Sequence, residues 1–262
     1  MTISSRPNER TAPARRQWLS GQHGAWAMLA VPFLLGIAAS RPDPWQLVLA
    51  VTAVTGYLAS AATQTRLRAR RRDGSPIPLL TYGALVAVSG LALVVAHPVL
   101  LACLVVLVPA GAITLGGARP GTPRDLANSL AQVAQALMLV PAAALVSGAF
   151  DGGRVGAATL VGAAYLVGTV LVVRSVIRER DNRAFAAASI GFHGALLVGA
   201  LAFLPLVYAV LAGALTARAA ALPAVQRRRS GTPRPLRPVQ VGVVEMVAAG
   251  AVVLVAFVMP PG

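Results

Sequence analysis

The side chains that could do chemistry in this chain are few, and they lie within or beside long apolar runs. Glu245 is a carboxylate well inside one run, and His193 lies inside another. A polar group in an apolar environment costs free energy unless it has a partner. For Glu245 we weigh a structural ion pair with an arginine against service as a proton carrier, a cation ligand or the partner of a substrate ammonium. For His193 the commonest outcome is a neutral imidazole bonded to a backbone carbonyl, but His193 and Glu245 are both candidate ligand-binding residues.

Four polar residues recur at helical spacing near the start of another apolar run: Asp125, Asn128, Gln132 and Gln135. Their spacing places all four on one face of a helix. Amide side chains often bond between transmembrane helices, and they also line ligand sites. Both interpretations stay open, so the four are candidate ligand-binding residues.

His23 and Trp26 lie on one face at the start of the first apolar run. Trp is typical of membrane interfaces, whereas His can titrate near neutral pH. Both are candidates for the wall of a binding site. If Trp26 is only an interfacial anchor, His23 is the more informative residue to replace.

The segment 174–183 is predicted to continue the preceding apolar helix beyond the membrane. In such an extension Arg174, Arg178 and Asp181 share one face. Arginine binds phosphate bidentately without a metal. Arg174 and Arg178 are therefore candidate ligand-binding residues, and Asp181 is included because it shares their face. The alternative is a solvated loop that only sets the topology.

No metal site and no cofactor is predicted. The chain has a single cysteine, Cys103, and no His-x-x-x-His or Glu-x-x-His spacing. It also lacks a serine-nucleophile motif and a phosphate-binding glycine loop. Catalytic residues, and the question whether the protein is an enzyme, therefore stay open.

The elements that must position these residues are transmembrane helices. The chain is 56% hydrophobic and only 12% charged, and apolar runs of membrane-spanning length recur throughout. The stretch 184–222 would be roughly 58 Å long as one helix, so we divide it into two helices hinged near Pro205. The result is an all-α polytopic bundle of about nine helices. The predicted domains are a basic tail, residues 1–20, and one transmembrane domain, residues 21–260; the predicted helices span 22–39, 45–63, 78–96, 98–115, 126–148, 155–173, the two halves of 184–222, and 239–259.

The 23 basic residues are all arginine. All but Arg41 and Arg154 lie in the tail, in alternate loops or at the adjoining helix ends. This distribution follows the positive-inside rule, and it predicts a cytoplasmic N-terminus and an external C-terminus. The net charge of +15 is accordingly assigned to topology and to anionic lipid headgroups rather than to nucleic acid.

Three stretches resemble the YwiC-like family of bacterial membrane proteins: Gln22–Met28 with Pro32–Gly36, Val173–Arg178 with Asp181-Asn182, and Pro238–Glu245. The resemblance implies a location in the bacterial cytoplasmic membrane, but it brings no activity with it. The nine-helix layout also looks like that of the UbiA superfamily of intramembrane prenyltransferases. Their paired aspartate motifs, which hold magnesium and a diphosphate, are missing from the corresponding loops here.

Three functions remain as hypotheses. The first is a UbiA-like bundle whose cytoplasm-facing cavity binds an amphiphile, such as an isoprenoid, with an anionic head on arginines. The second is a non-catalytic assembly or scaffold protein that docks partners through its many small residues. The third is a proton-coupled transporter that uses Glu245, His193 and the stripe 125–135. We rank them in that order, and the oligomeric state is not predicted.

Overall fold

The computed structural model describes residues 23–68, 76–118, 125–229 and 236–260, with the backbone alone at His23, Gly24, Ala25 and Arg68. The predicted basic tail lies outside this part of the chain. In the described ranges all regular structure is helical. Its elements are α1 (His23–Ala38), α2 (Trp45–Arg68), α3 (Ile77–Ala96), a 3₁₀ helix (Pro98–Cys103), α4 (Leu104–Gly116), α5 (Leu126–Leu137), α6 (Leu139–Val146), α7 (Gly152–Ile177), α8 (Arg183–Phe203), α9 (Leu206–Arg229) and α10 (Pro238–Val258).

The helices are long and apolar enough for a multi-pass membrane protein. In the described ranges eight helical segments have the length and hydropathy of membrane spans, the 3₁₀ helix with α4 forming one and α5 with α6 another. The apolar part of α1, Trp26–Ala38, is shorter. The predicted all-α polytopic bundle of about nine helices is thus confirmed.

Two predicted helices are longer than expected at their arginine-bearing ends. α2 continues to Arg68 rather than ending at residue 63, and α9 continues through Pro223 to Arg229 rather than ending at residue 222. Arginine has an apolar stem and a charged tip, so a helix that bears arginines can continue past the edge of the hydrocarbon layer of the membrane. The predicted hinge between α8 and α9 is present, at Leu204 and Pro205.

The predicted extension of α7 through residues 174–183 is confirmed only as far as Ile177, and the remainder is wrong. The backbone N–H of Glu179 donates to the carbonyl oxygen of Arg174 at 2.7 Å, which turns the chain out of the helix. Asn182 then caps α8, because its Oδ1 accepts a hydrogen bond from the N–H of Phe185 at 3.0 Å. The local capping signal of Asn182 therefore outweighs continuation of the helix.

α1 lies at the centre of the bundle, in contact with α5, α6, α7 and α10. Its residues Val31 and Leu35 are fully buried in the main core. Gly36 allows the closest approach, since a Cβ there would lie 2.7 Å from the Ala143 side chain and from the Val140 carbonyl oxygen. The central packing of α1 on α6 therefore depends on a residue without a side chain.

α3 lies at the periphery and packs mainly against α2. It exposes large apolar side chains, among them Val88 (71%), Leu91 (65%) and Val95 (74%). A soluble protein rarely exposes so continuous an apolar surface. On a membrane protein, this surface faces the lipid chains.

Candidate functional site

A cavity of ≈ 930 Å³ is lined by residues from α1 through α7. Small-molecule sites typically have volumes of about 300–1,000 Å³. On α2 the lining runs from Leu49 to Thr65, sixteen residue steps (65 − 49), or roughly 24 Å of helix. Since the hydrocarbon core of a bilayer is about 30 Å thick, the cavity is long enough for an extended acyl or prenyl chain.

The two ends of this cavity differ in polarity. Because successive crossings alternate in direction, the ends of α2, α4 and α7 lie on the same side of the bundle as the start of α5. Polar side chains line that end, which we call the basic end: Ser60, Gln64, Thr114, Ser129, Arg174 and Arg178. Leucines line the opposite, apolar end: Leu49, Leu93, Leu100, Leu104, Leu107 and Leu139.

Gln46 fixes α2 near the apolar end. Its side chain is buried, and its Nε2 donates to the carbonyl oxygens of Arg41 at 2.9 Å and Ala143 at 3.1 Å. The second bond ties the start of α2 to α6. The far half of α2, which carries Ser60 and Gln64, lines the cavity instead.

Arg174 and Arg178 come from the last turn and C-cap of α7, and both line the cavity. Arg174 is mostly buried, with Nη2 at 3.4 Å from Glu179 Oε1 and the guanidinium 5.9 Å from the centre of the Phe185 ring. These contacts hold the Arg174 guanidinium at the basic end, where the Glu179 carboxylate partly balances its charge. An anionic ligand group would find two guanidinium groups at this end.

Asp181 does not share a helix face with these arginines, because α7 ends before it. Its side chain is 90% exposed and forms a surface ion pair with Arg180 at 3.5 Å. It is not among the residues that line the cavity. The structure therefore separates Asp181 from the predicted group.

The predicted stripe on α5 divides in two. Gln132 and Gln135 line the cavity, and Gln135 Oε1 lies 3.5 Å from Thr114 Oγ1 on α4. Asp125 instead caps α5, because its Oδ1 accepts a hydrogen bond from the N–H of Asn128 at 2.8 Å. The Asn128 side chain is buried beside Gly117 at the end of α4, so Asp125 caps α5 and Asn128 packs between helices.

Trp26 lies beside the cavity rather than in its lining. Its ring makes an edge contact with Tyr57, at 6.0 Å between ring centres, and Tyr57 lines the cavity. Trp26 is 38% exposed, so it can also lie against lipid. The side chain of His23 is outside the described residues, and its place relative to the cavity stays a prediction.

Glu245 forms a buried ion pair with Arg218 of α9. The distance from Arg218 Nη1 to Glu245 Oε2 is 2.7 Å, and the two side chains are only 7% and 6% exposed. The same carboxylate oxygen accepts a hydrogen bond from Thr169 Oγ1 at 3.0 Å, and Tyr165 Oη donates to the Glu245 backbone oxygen at 3.0 Å. The pair therefore joins α7, α9 and α10 inside the bundle.

The positive-inside pattern assigns Arg218 to topology, and no sequence pattern singles out Tyr165 or Thr169. A usable signal was present for Arg218, which has only Ala, Leu, Thr and Gly neighbours for several residues on both sides. Two opposite charges isolated in separate apolar runs are expected to pair, since an unpaired buried charge is costly. Tyr165 and Thr169 carry no comparable signal, because hydroxyl residues are common in transmembrane helices.

His193 is buried apart from the cavity lining. Its Nδ1 donates to the carbonyl oxygen of Ser189 at 2.8 Å. Its ring fits against Gly168 of α7, where a Cβ would lie 2.7 Å from Nε2. The ring is carbonyl-bonded and packs between α7 and α8, and the ligand-binding role predicted for His193 stays a prediction.

Thr169 connects the cavity with the Arg218–Glu245 ion pair, because it lines the cavity and donates a hydrogen bond to Glu245. No cluster of three His, Cys, Asp or Glu side chains suited to a metal ion occurs within the described ranges. The arrangement can hold an elongated molecule with an anionic group at the basic end and an apolar chain toward the other.

Comparisons with known proteins agree on the family. The sequence model described as YwiC-like protein matches residues 19–144, which run from α1 into α6. The chain is 32% identical over 181 residues to the "Uncharacterized protein YwiC" of Bacillus subtilis (strain 168), an alignment that covers 66% of this chain and 72% of that protein. No solved structure matches the chain. The chain therefore belongs to the YwiC-like family.

Proposed function

We propose that this membrane protein binds an anionic amphiphile in the cavity lined by α1 through α7, with the head at the basic end and the chain along the leucines. The observation that carries the proposal is the polarity gradient of one continuous cavity, from Arg174 and Arg178 to the leucine-lined end. The leucine-lined end is as apolar as the lipid from which such a chain would come, and the two guanidinium groups fix the orientation of the head.

The residues around the cavity favour direct contact between the arginines and the head. None of the lining residues in the described part of the chain is Asp or Glu, whereas magnesium sites use carboxylate oxygens. Guanidinium groups bind phosphate and carboxylate oxygens without a cation. We therefore propose a phosphate- or carboxylate-bearing amphiphile, with an isoprenoid chain as one option, and we do not propose metal-dependent prenyl transfer.

The apolar end argues against a hydrophilic transport path. A path for a hydrophilic solute normally needs polar groups on both sides of its site. Here the lining residues of the outer part of the cavity are mainly leucines, including Leu93, Leu100 and Leu104. Binding, transfer or presentation of an amphiphile fits this surface better than passage of a small polar solute.

The proposed orientation places the basic end in the cytoplasm. Arginines of the described residues gather on that side, at the ends of α2, α7 and α9, while Arg41 and Arg154 lie on the other. A green fluorescent protein fused after Gly262 should then be non-fluorescent, and an alkaline phosphatase fusion at the same point should be active. The reverse pattern would contradict this orientation.

Blocking the cavity tests the proposal directly. We expect the purified wild-type protein to carry an anionic amphiphile that native mass spectrometry detects, and Ala53→Phe to lose it, because Ala53 lines the cavity on α2. The matched control is Val88→Phe on the lipid-exposed face of α3, which should keep the ligand. Wild-type protein without any bound amphiphile, or equal occupancy in both variants, would contradict the proposal.

A further inference from the structure

We propose that Thr169 makes the site selective for amphiphiles that carry a hydroxyl group on the chain, a short distance from the anionic head. This inference rests on the proposed function and adds a second polar contact to it. Thr169 precedes Arg174 by five residues on α7 (174 − 169), so it lies roughly 7.5 Å farther into the cavity along the helix axis. At that depth a ligand's chain, rather than its head, would pass the hydroxyl.

The direction of the hydrogen bond from Thr169 is determined by its partner. Glu245 Oε2 lies 2.7 Å from Arg218 Nη1 and 3.0 Å from Thr169 Oγ1. An arginine N–H only donates, so this carboxylate oxygen is an acceptor, and the neighbouring hydroxyl must donate to it. The single proton of Thr169 is therefore directed away from the cavity and into the buried ion pair.

Thr169 lines the cavity, and toward a ligand its oxygen can consequently act only as an acceptor. A hydroxyl has one donor and two acceptor positions, and the donor position is used by Glu245. A ligand hydroxyl can donate a hydrogen bond to the lone pairs of this oxygen. An ether oxygen at the same place has no proton to donate, so two acceptors would face each other. Glu245 and Arg218 do not line the cavity. Glu245 nevertheless determines that the Thr169 hydroxyl accepts, rather than donates, a hydrogen bond toward the ligand.

The surroundings of Thr169 strengthen the selectivity. Val170 and Val173 are its nearest lining neighbours on α7, so the contact lies between the basic end and an apolar wall. In such an environment an acceptor left without a donor costs more than it does in water. A ligand that lacks the hydroxyl should bind measurably more weakly.

The test uses two synthetic probes: a hexadecyl phosphate with a hydroxyl group on the fifth chain carbon, and its methyl ether at the same carbon. Binding is measured on the full-length protein in nanodiscs. We expect the wild type to bind the hydroxyl probe about tenfold more tightly, as one hydrogen bond would give. Thr169→Val, which keeps the shape of the side chain, should bind both probes equally, and Thr169→Ser should keep the preference.

The outcomes separate this inference from the proposed function. If the wild type binds both probes equally, or if the preference persists in Thr169→Val, the inference is wrong while the amphiphile site stands. If neither probe binds, the proposed function is overturned and the inference with it. The preference is a ratio within one variant, so a general loss of stability in Thr169→Val does not imitate the expected result.

Discussion

Replacement of Glu245 by alanine is expected to destabilise the protein by about 3–5 kcal/mol, the range for breaking one side of a buried ion pair. The reason is that the replacement would leave the Arg218 guanidinium buried without its carboxylate partner. Its side chain is 7% exposed, and its Nε and Nη2 have no hydrogen-bond partner among the described residues. Without Glu245 a buried guanidinium would lose its carboxylate. Thermal or denaturant unfolding of the purified protein in detergent measures the effect.

The double variant Arg218→Met with Glu245→Leu is the informative companion, since replacing a whole buried pair by apolar residues is often close to neutral. Asp181→Ala is the matched control, because Asp181 belongs to an exposed ion pair and exposed pairs contribute little. A single Glu245→Ala variant as stable as the control would show that the pair does not stabilise the bundle. A double variant less stable than Glu245→Ala would contradict the same argument.

The double replacement Arg174→Gln with Arg178→Gln is expected to weaken binding of hexadecyl phosphate at least about 100-fold. Each guanidinium would contribute a charge-assisted hydrogen bond, of about 1.5–3 kcal/mol. The wild-type affinity should also fall as salt is added, whereas the residual affinity of the variant should depend less on salt. Titration of the probe into protein in nanodiscs measures both quantities.

Arg180→Gln is the control for this prediction. It removes one positive charge from the same turn, but Arg180 is 59% exposed and does not line the cavity. We expect its affinity for the phosphate probe to stay near that of the wild type. If Arg180→Gln weakened binding as much as the double variant, the effect would reflect the general surface charge and not a site at the basic end.

The helices themselves could be predicted because their signals are local. The length of an apolar run sets a membrane crossing, and Pro205 marks a break in a run too long for one helix. The positions of the arginines indicate which helix ends share a side of the membrane. These features placed Arg174, Arg178, Gln132 and Gln135 at one side, which is where they line the cavity.

The ends of helices were less predictable where two local signals compete. The sequence of residues 174–183 has helical spacing, yet Asn182 caps the next helix and ends the pattern. Asp181 was assigned to the site on that spacing and lies on the surface instead. Asp125 similarly continued a polar stripe in the sequence, but it caps α5 through Asn128.

The sequence by itself therefore determined the membrane class, the family resemblance, the order of the helices and the side on which the polar groups gather. Only the tertiary structure decided that Arg218 pairs with Glu245, that His193 packs on Gly168, and that Thr169 joins the ion pair to a cavity. The physical reason is that helices in a bilayer are apolar toward lipid and toward one another. Hydrophobic periodicity then does not reveal which faces meet, and contacts between distant helices depend on packing alone.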